Sequence, residues 1–434
     1  MNVAAGRRKP DVSISASFPD NYANDATVSL ILEQLESDDR SPILVTGEAG
    51  TGKSTLVKYI QTQCNIPNTV VLAPTGVAAL NVGGQTIHSF FRFPFKIIDE
   101  AALVDQKTNR LWKKVDLIII DEVSMLRADI LDGIDLVLRK AQDNREPFGG
   151  VRLLLVGDFF QLPPVIPRHE HQMLAQRGYS GPYAYNSNVL ENYSPVHFEL
   201  SKVYRQRNAE FINILSDLRV ARNVEEAVMG INEACVGPHR EGHTPVLLTS
   251  TNAIANRYNV SGLAALVSET VDYDCKTKGN FSANRAPAPE KLTLKKGARV
   301  MARNDPMKRW VNGSLGTVVD LSPEEVFVRF DSGPSVRKIE PEKWDMINYK
   351  WSEADQKMIE TTAASFQQMP LILAWAVTIH KAQGLTLDDV RIDLGRGAFA
   401  MGQAYVALSR ARTLAGLSLT TPLRVEDVNV GMRG

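Results

Sequence analysis

At 434 residues the chain exceeds the roughly 250–300 residues at which a single core stops growing, so two or three domains are expected. Its 44% hydrophobic and 23% charged residues include no apolar run near the about 18 residues that span a bilayer, which argues against a membrane-spanning helix. Lysine plus arginine equals aspartate plus glutamate, 49 against 49, which excludes a global positive field, so any polyanion must be held by a local stripe.

The N-terminus, MNVAAGRRKPDVSISASFPD, has basic residues but no apolar stretch behind them and does not read as a secretory leader. Cys64, Cys235 and Cys275 are widely spaced and odd in number, which suits reduced thiols and neither a disulfide framework nor a zinc site. The first patterned element lies in the segment 1–40, where ATVSLILEQLES sets Val28, Ile31, Leu32 and Leu35 at helical spacing. An apolar run, ILVT, then leads into GEAGTGKS (47–54), which fits G-x-x-x-x-G-K-S with the helical TLVKYIQTQ behind it. Gly47, Gly50 and Gly52 let the backbone curl so that its N–H groups and the helix N-terminus face a polyphosphate. Lys53 bridges the terminal phosphates, Ser54 offers a hydroxyl to Mg²⁺, and Thr51 and Thr55 belong to the same nucleotide-binding stretch.

TVVLAPT reads as the next strand, and HSFFRFPFK after it interleaves four phenylalanines with Arg92 and Lys96. Phe91 is a candidate for stacking on a base, although phenylalanines serve more often as core. LIIIDEVSM is a buried strand whose end presents Asp121, to hold Mg²⁺, and Glu122, to position and activate water. RLLLVGDFFQLPPV ends in Asp158 and Gln161, an amide suited to contact both a γ-phosphate and the lytic water. Near-continuous apolar strands alternating with helices imply a doubly wound parallel sheet over 41–195.

A second series (VHFELS, PVLLTST, RVMARN, LILAWAVTIH, VRIDLG, LSLTTP) implies a second α/β core over 196–305 and 368–434. Within it, 306–367 holds short strands separated by Gly, Ser, Pro and Asp turns, as expected of a small β-barrel insertion. The residues alone leave ATP or GTP with Mg²⁺ as ligand, and no guanine-reading N-K-x-D is present.

By APTGVAAL (73–80), TIHSFF (86–91), IIIDEVSM (118–125) and GDFFQLPPV (157–165) the sequence resembles a superfamily-one DNA helicase of the petite-integration-frequency type. VYRQ (203–206), VNGSLG (311–316), TIHKAQGLTLDDV (378–390) and QAYVALSRAR (403–412) follow in the family's order, and 129–151 resembles its signature stretch. The resemblance implies an α/β fold of two RecA-like P-loop NTPase cores, parallel sheets flanked by helices, with a small insertion in the first and an SH3-like β insertion in the second. ATP would lie between the cores, with Arg205 and Arg410 reaching the γ-phosphate and Gln383 and Gly384 lining the cleft. Pro74, Thr75, Gly76 and His88 of the first core and Asn252, Asn312, His380 and Lys381 of the second match positions that touch or border single-stranded DNA. Residues 92–112 would form the wedge that parts a duplex.

The implied activity is 5′-to-3′ movement on single-stranded DNA and unwinding at single/double-strand junctions, extending to G-quadruplexes and RNA–DNA hybrids. The implied roles are repair, recombination or telomere maintenance, in the cytoplasm of a bacterium or virus-infected cell or in a nucleus or mitochondrion. The alternative is an ATP-gated single-stranded-DNA-binding switch that does not unwind. The family's adenine-reading glutamine is missing ahead of the phosphate loop, since Gln34 lies too close; either Asn21 or Asn24 would substitute or the base would simply stack.

Overall fold

The computed structural model describes residues 25–64, 66–103, 109–206, 208–239, 244–279, 281, 286–303, 310 and 312–428. Asn21 and Asn24 lie outside the described residues. The helix Ala26–Glu36 forms where the 3.6-residue period placed it, capped by Asp25, with Val28, Ile31 and Leu35 buried.

The first sheet comprises β1 (Ile43–Gly47), β2 (Thr69–Ala73), β3 (Gln85–Thr86), β4 (Leu117–Ile120), β5 (Arg152–Val156) and β6 (Val196–Leu200). They run parallel in the order β3-β2-β4-β5-β1-β6. Their continuous apolar runs follow from burial on both faces. In β4, Ile118 and Ile120 join one cluster with Val70 and Leu155, while Leu117 and Ile119 join the opposite one with Val45 and Val156. VHFELS, expected to open the second core, is instead β6 and pairs with β1 from Ile43–Val196 to Gly47–Leu200. Its apolar pattern is that of a parallel edge strand, and such a pattern does not say which sheet the strand joins.

The second parallel sheet contains β7 (Val246–Thr249). Among the described residues eleven further strands follow it in chain order: β8 (Thr270–Asp274), β9 (Lys276–Lys278), β10 (Lys291–Lys295), β11 (Arg299–Ala302), β12 (Leu315–Leu321), β13 (Val326–Phe330), β14 (Val336–Ile339), β15 (Glu342–Ser352), β16 (Lys357–Gln368), β17 (Leu371–Leu373) and β18 (Ala376–Thr378). With β19 (Val390–Asp393) and β20 (Leu417–Leu419), the parallel order is β18-β7-β19-β20. The strands β8 to β17 are antiparallel: a five-stranded sheet β14-β13-β12-β11-β17, the pair β10-β8, and β15-β16-β9. Antiparallel pairing therefore spans Thr270–Leu373, wider than the expected 306–367. RVMARN is likewise corrected, since β11 pairs antiparallel with β12 and β17 and not with the parallel sheet.

The β15–β16 hairpin reaches back to the first core. Tyr349 is buried there and its hydroxyl accepts from Val71 N at 3.2 Å; Asn348 meets Gln85 at 3.4 Å, and Lys114 lies over the Trp351 ring at 4.9 Å. In the expected wedge, Phe93, Ile97, Ile98, Leu111 and Trp112 are buried. Ile98 packs so closely on Gly133 of the helix Ala128–Gln142 that a Cβ there would meet its Cγ2 at 2.5 Å. Among the described residues no helix is long and apolar enough to cross a membrane.

Candidate nucleotide cleft and strand-binding face

Most of the cleft candidates lie at or just beyond the C-terminal edges of parallel strands, where side chains from successive strands converge. The phosphate loop follows β1, Asp121 and Glu122 follow β4, and Asp158 and Gln161 follow β5. These three strands are neighbours in the sheet or one place apart, so the loop, the acidic pair and the amide meet in one cleft.

In the loop, Gly50 and Gly52 adopt φ +91° and +88°, a left-handed conformation that favours glycine. A Cβ on Gly50 would also meet Arg205 Cβ at 2.6 Å. Gly52 caps the helix Lys53–Gln63, whose first turn carries Ser54 and Thr55 and leaves N–H groups directed at the cleft. Lys53 Nζ donates to the carbonyls of Gly47 and Glu48, both at 2.8 Å, and Thr51 Oγ1 donates to Glu48 at 2.9 Å. Desolvation holds Lys53 below the usual lysine range against the attraction of Asp158 and Glu122.

Ser54 Oγ is 3.3 Å from Asp121 Oδ2. A hydroxyl and a carboxylate converging beside a phosphate loop are the oxygen donors that a Mg²⁺ ion takes, so the residues fit that ion. Burial raises the Asp121 carboxyl, and burial followed by the Asp121 charge raises Glu122 to about 7. Glu122 stands at φ +55°, left-handed for a non-glycine residue, which fixes the direction its side chain takes from the strand end.

The second core closes the cleft. Gln383 Nε2 donates to Glu122 Oε2 at 3.0 Å and to Gln161 Oε1 at 3.5 Å. Gly384 supplies a carbonyl to Arg205 Nη2, whose Nε and Nη1 donate to Thr386 Oγ1 and Ser409 O. Arg410 is 1% exposed and donates to the Val406 and Leu385 carbonyls and to Ser409 Oγ. Among the described residues every hydrogen-bond partner of these two guanidinium groups is thus an uncharged oxygen. Burial lowers Arg205 to about 10, and burial with the neighbouring Arg205 charge lowers Arg410 to about 9. Two desolvated cations facing one cleft without a carboxylate hydrogen-bonded to either fit a polyanionic ligand.

Most of the strand-binding candidates also follow parallel strands. Pro74, Thr75 and Gly76 follow β2, and Thr75 caps the helix Gly76–Val82 through Ala78 N at 3.2 Å. Asn252 is exposed at the start of the helix after β7, and His380 and Lys381 follow β18. Desolvation lowers His380 and Lys381, the latter also through the Arg303 charge, and Asn312 Oδ1 is buried without a hydrogen-bond partner among the described residues.

Phe91 is a correction. It is 0% exposed, packed between Phe93 at 5.4 Å and Trp112 at 5.9 Å, and cannot stack on a base. The helix Ile87–Phe91 turns it inward, and it is Phe95, 80% exposed and stacked on His88 at 4.8 Å, that faces solvent. Phe91→Ala should cost about 3–5 kcal/mol of stability in denaturant unfolding, as a large core truncation does; a loss below about 1 kcal/mol would contradict the core placement. Sequence reasoning passed over Tyr405 and Arg219, which meet Asp158 from the second core at 3.4 and 3.1 Å. Tyr405 lies inside the quoted QAYVALSRAR block, whereas Arg219 carries no local signal.

The PIF1-like helicase family model matches residues 22–227. The human ATP-dependent DNA helicase PIF1 is 36% identical over 396 residues, 86% of this chain and 57% of that protein. The ATP-dependent DNA helicase Pif1 of Bdellovibrio bacteriovorus is 34% identical over 388 residues, 87% of this chain and 83% of that protein. This chain thus spans less than two thirds of the human relative and most of the bacterial one. Pif1 from Bacteroides sp in complex with ADP-AlF4 superposes with a TM-score of 0.85 at 34% identity, covering 93% of this chain and 94% of that one. The unliganded Bacteroides structure gives 0.82 and covers 94% of both chains; the form bound to single-stranded DNA gives 0.67 at the same coverage.

Proposed function

The chain belongs to the PIF1-like helicase family, and from that premise we propose that it is an ATP-dependent DNA helicase. It hydrolyses ATP between its two RecA-like cores and uses the cycle to move 5′-to-3′ along single-stranded DNA, separating duplex at the junction. The observation that carries this reading is the contact of Gln383 with Glu122 at 3.0 Å, because it joins the second core to the carboxylate assigned to activate water. Closing the cleft changes that carboxylate's surroundings, so chemistry and core movement are coupled.

In this reading Lys53 and the loop N–H groups hold the phosphates, and Arg205 and Arg410 turn from their carbonyl partners toward the γ-phosphate as it develops charge. Ser54 and Asp121 hold Mg²⁺, which when bound neutralises phosphate charge. Pro74, Thr75, Gly76, His88, Asn252, Asn312, His380 and Lys381 form the strand path, contacting phosphates through backbone, amide and imidazole groups without sequence preference. The segment 92–112 is the wedge. G-quadruplexes are substrates of the same motor, which works in whichever compartment holds its DNA.

The deciding experiment is ATP-driven strand separation on matched duplexes bearing a 5′ or a 3′ single-stranded tail. Separation confined to the 5′ tail is expected; DNA-stimulated hydrolysis without separation on either would leave the switch reading in its place. Phe95→Ala should weaken single-stranded DNA binding by about tenfold, within the about 1–3 kcal/mol of a base–aromatic stack, at unchanged melting temperature. Unaltered binding in fluorescence anisotropy would remove Phe95 from the strand path.

A further inference from the structure

One buried ion pair has no place in the reading above. Arg219, near the end of the helix Ala209–Val220 in the second core, is 6% exposed. Its guanidinium crosses to the first core: Nε donates to Asp158 Oδ1 at 3.1 Å, Nη1 reaches Glu199 at 3.5 Å, and the group lies 4.7 Å above the Phe160 ring. Glu48 of the phosphate loop stands 4.0 Å away and accepts from Ser216, on the same helix, at 2.7 Å. The second Asp158 oxygen, Oδ2, accepts from Gln161 Nε2 at 3.2 Å and from the Tyr405 hydroxyl at 3.4 Å. That hydroxyl accepts in turn from Ala49 N of the phosphate loop at 2.8 Å. One carboxylate thus gathers two second-core donors and the first-core amide assigned to sense the γ-phosphate.

A buried ion pair is a poor device for stability alone, because desolvation offsets most of the attraction. What this one does is geometric. A glutamine amide has two N–H donors and one carbonyl. With one N–H held by Asp158 and the carbonyl facing Gln383, the amide plane of Gln161 is set and its other N–H is left for a ligand oxygen. An Asp158 free to rotate would release that plane.

We propose that Arg219 is a positioning residue for ATP hydrolysis: it clamps Asp158 so that Asp158 orients Gln161, and so transmits the position of the second core to the γ-phosphate sensor. The proposal rests on the helicase reading, since it presupposes hydrolysis in this cleft. A shift of the helix Ala209–Val220 then alters the sensor.

The test is a double-mutant cycle on DNA-stimulated ATP hydrolysis, with Arg219→Lys made alone and in a Gln161→Ala background. Lysine keeps the charge but cannot fork between Asp158 and Glu199. Alone it should lower kcat by about tenfold with KM for ATP changed less than about threefold, and in the Gln161→Ala background it should cause no further loss. Asp158→Asn, close in shape, is the second variant and should show the same non-additivity, which keeps the test decisive if a change at Arg219 impairs folding. Equal losses in both backgrounds, or no loss in the wild-type one, would overturn the proposal. A wild-type protein that does not hydrolyse ATP with DNA would overturn the helicase reading first, an outcome distinct from an additive cycle.

Discussion

Arg410→Ala should lower DNA-stimulated ATP hydrolysis by about a thousandfold or more, the range in which arginine fingers act. The guanidinium is bound to three uncharged oxygens and lies 1% exposed, so its burial is offset by hydrogen bonds alone. A γ-phosphate is a stronger partner than any of these, and the gain is largest where transition-state charge is greatest. The loss should therefore appear in kcat, with KM for ATP within a few-fold of the parent. Arg410→Lys should recover little of the rate, because an ammonium cannot reproduce the planar fork. Steady-state hydrolysis at saturating single-stranded DNA measures both, and a fall of less than about tenfold would show that Arg410 does not reach the reacting phosphate.

Glu122→Gln should slow hydrolysis by about a hundred- to ten-thousandfold, the usual worth of a positioned general base, while ATP and single-stranded DNA still bind. The substitution is close in shape, so the 3.0 Å contact with Gln383 can be kept with one amide oxygen. It also removes a carboxylate that burial and Asp121 together hold at about 7, and the nucleotide-free protein should melt no lower than the parent. Binding is checked by anisotropy with a labelled oligonucleotide in the presence of ATP. Full turnover by this variant would mean that another group activates the water.

What could be read from the chain was whatever local chemistry forces into a short stretch. Phosphate binding requires glycines, a lysine and a hydroxyl within eight positions, and a buried strand ending in an acidic pair is compact enough to recognise. The parallel strands β1, β2, β4 and β5 were legible for the same reason, since burial on both faces makes them apolar throughout. Sheet membership was not legible. VHFELS and RVMARN are strands in either assignment, and only pairing with residues far along the chain puts the first beside β1 and the second between β12 and β17. Phe91 and Phe95 are four positions apart in one aromatic run, and which of them faces solvent depends on a helix ending at Phe91 with Arg92 in the left-handed conformation. Arg219 acquires its partner 61 positions away, and an isolated arginine on a helix gives no hint of it.

The β15–β16 hairpin bears on how the halves of the molecule can move. The chain passes once from the first core to the second, beyond Leu200, and Arg205 is fastened there to Thr386. The hairpin provides another fastening, remote in sequence, where Tyr349 and Asn348 meet Val71 and Gln85. Two bodies joined at a single point can tumble about it in any direction, but joined at two separated points they turn only about the line between them, like a door on its pins. Once the contacts of Gln383, Tyr405 and Arg219 across the cleft part and while both of these fastenings hold, the cleft opens and shuts along a single arc. Freeing the hairpin would restore the remaining rotations at the cost of exposing the Tyr349 ring.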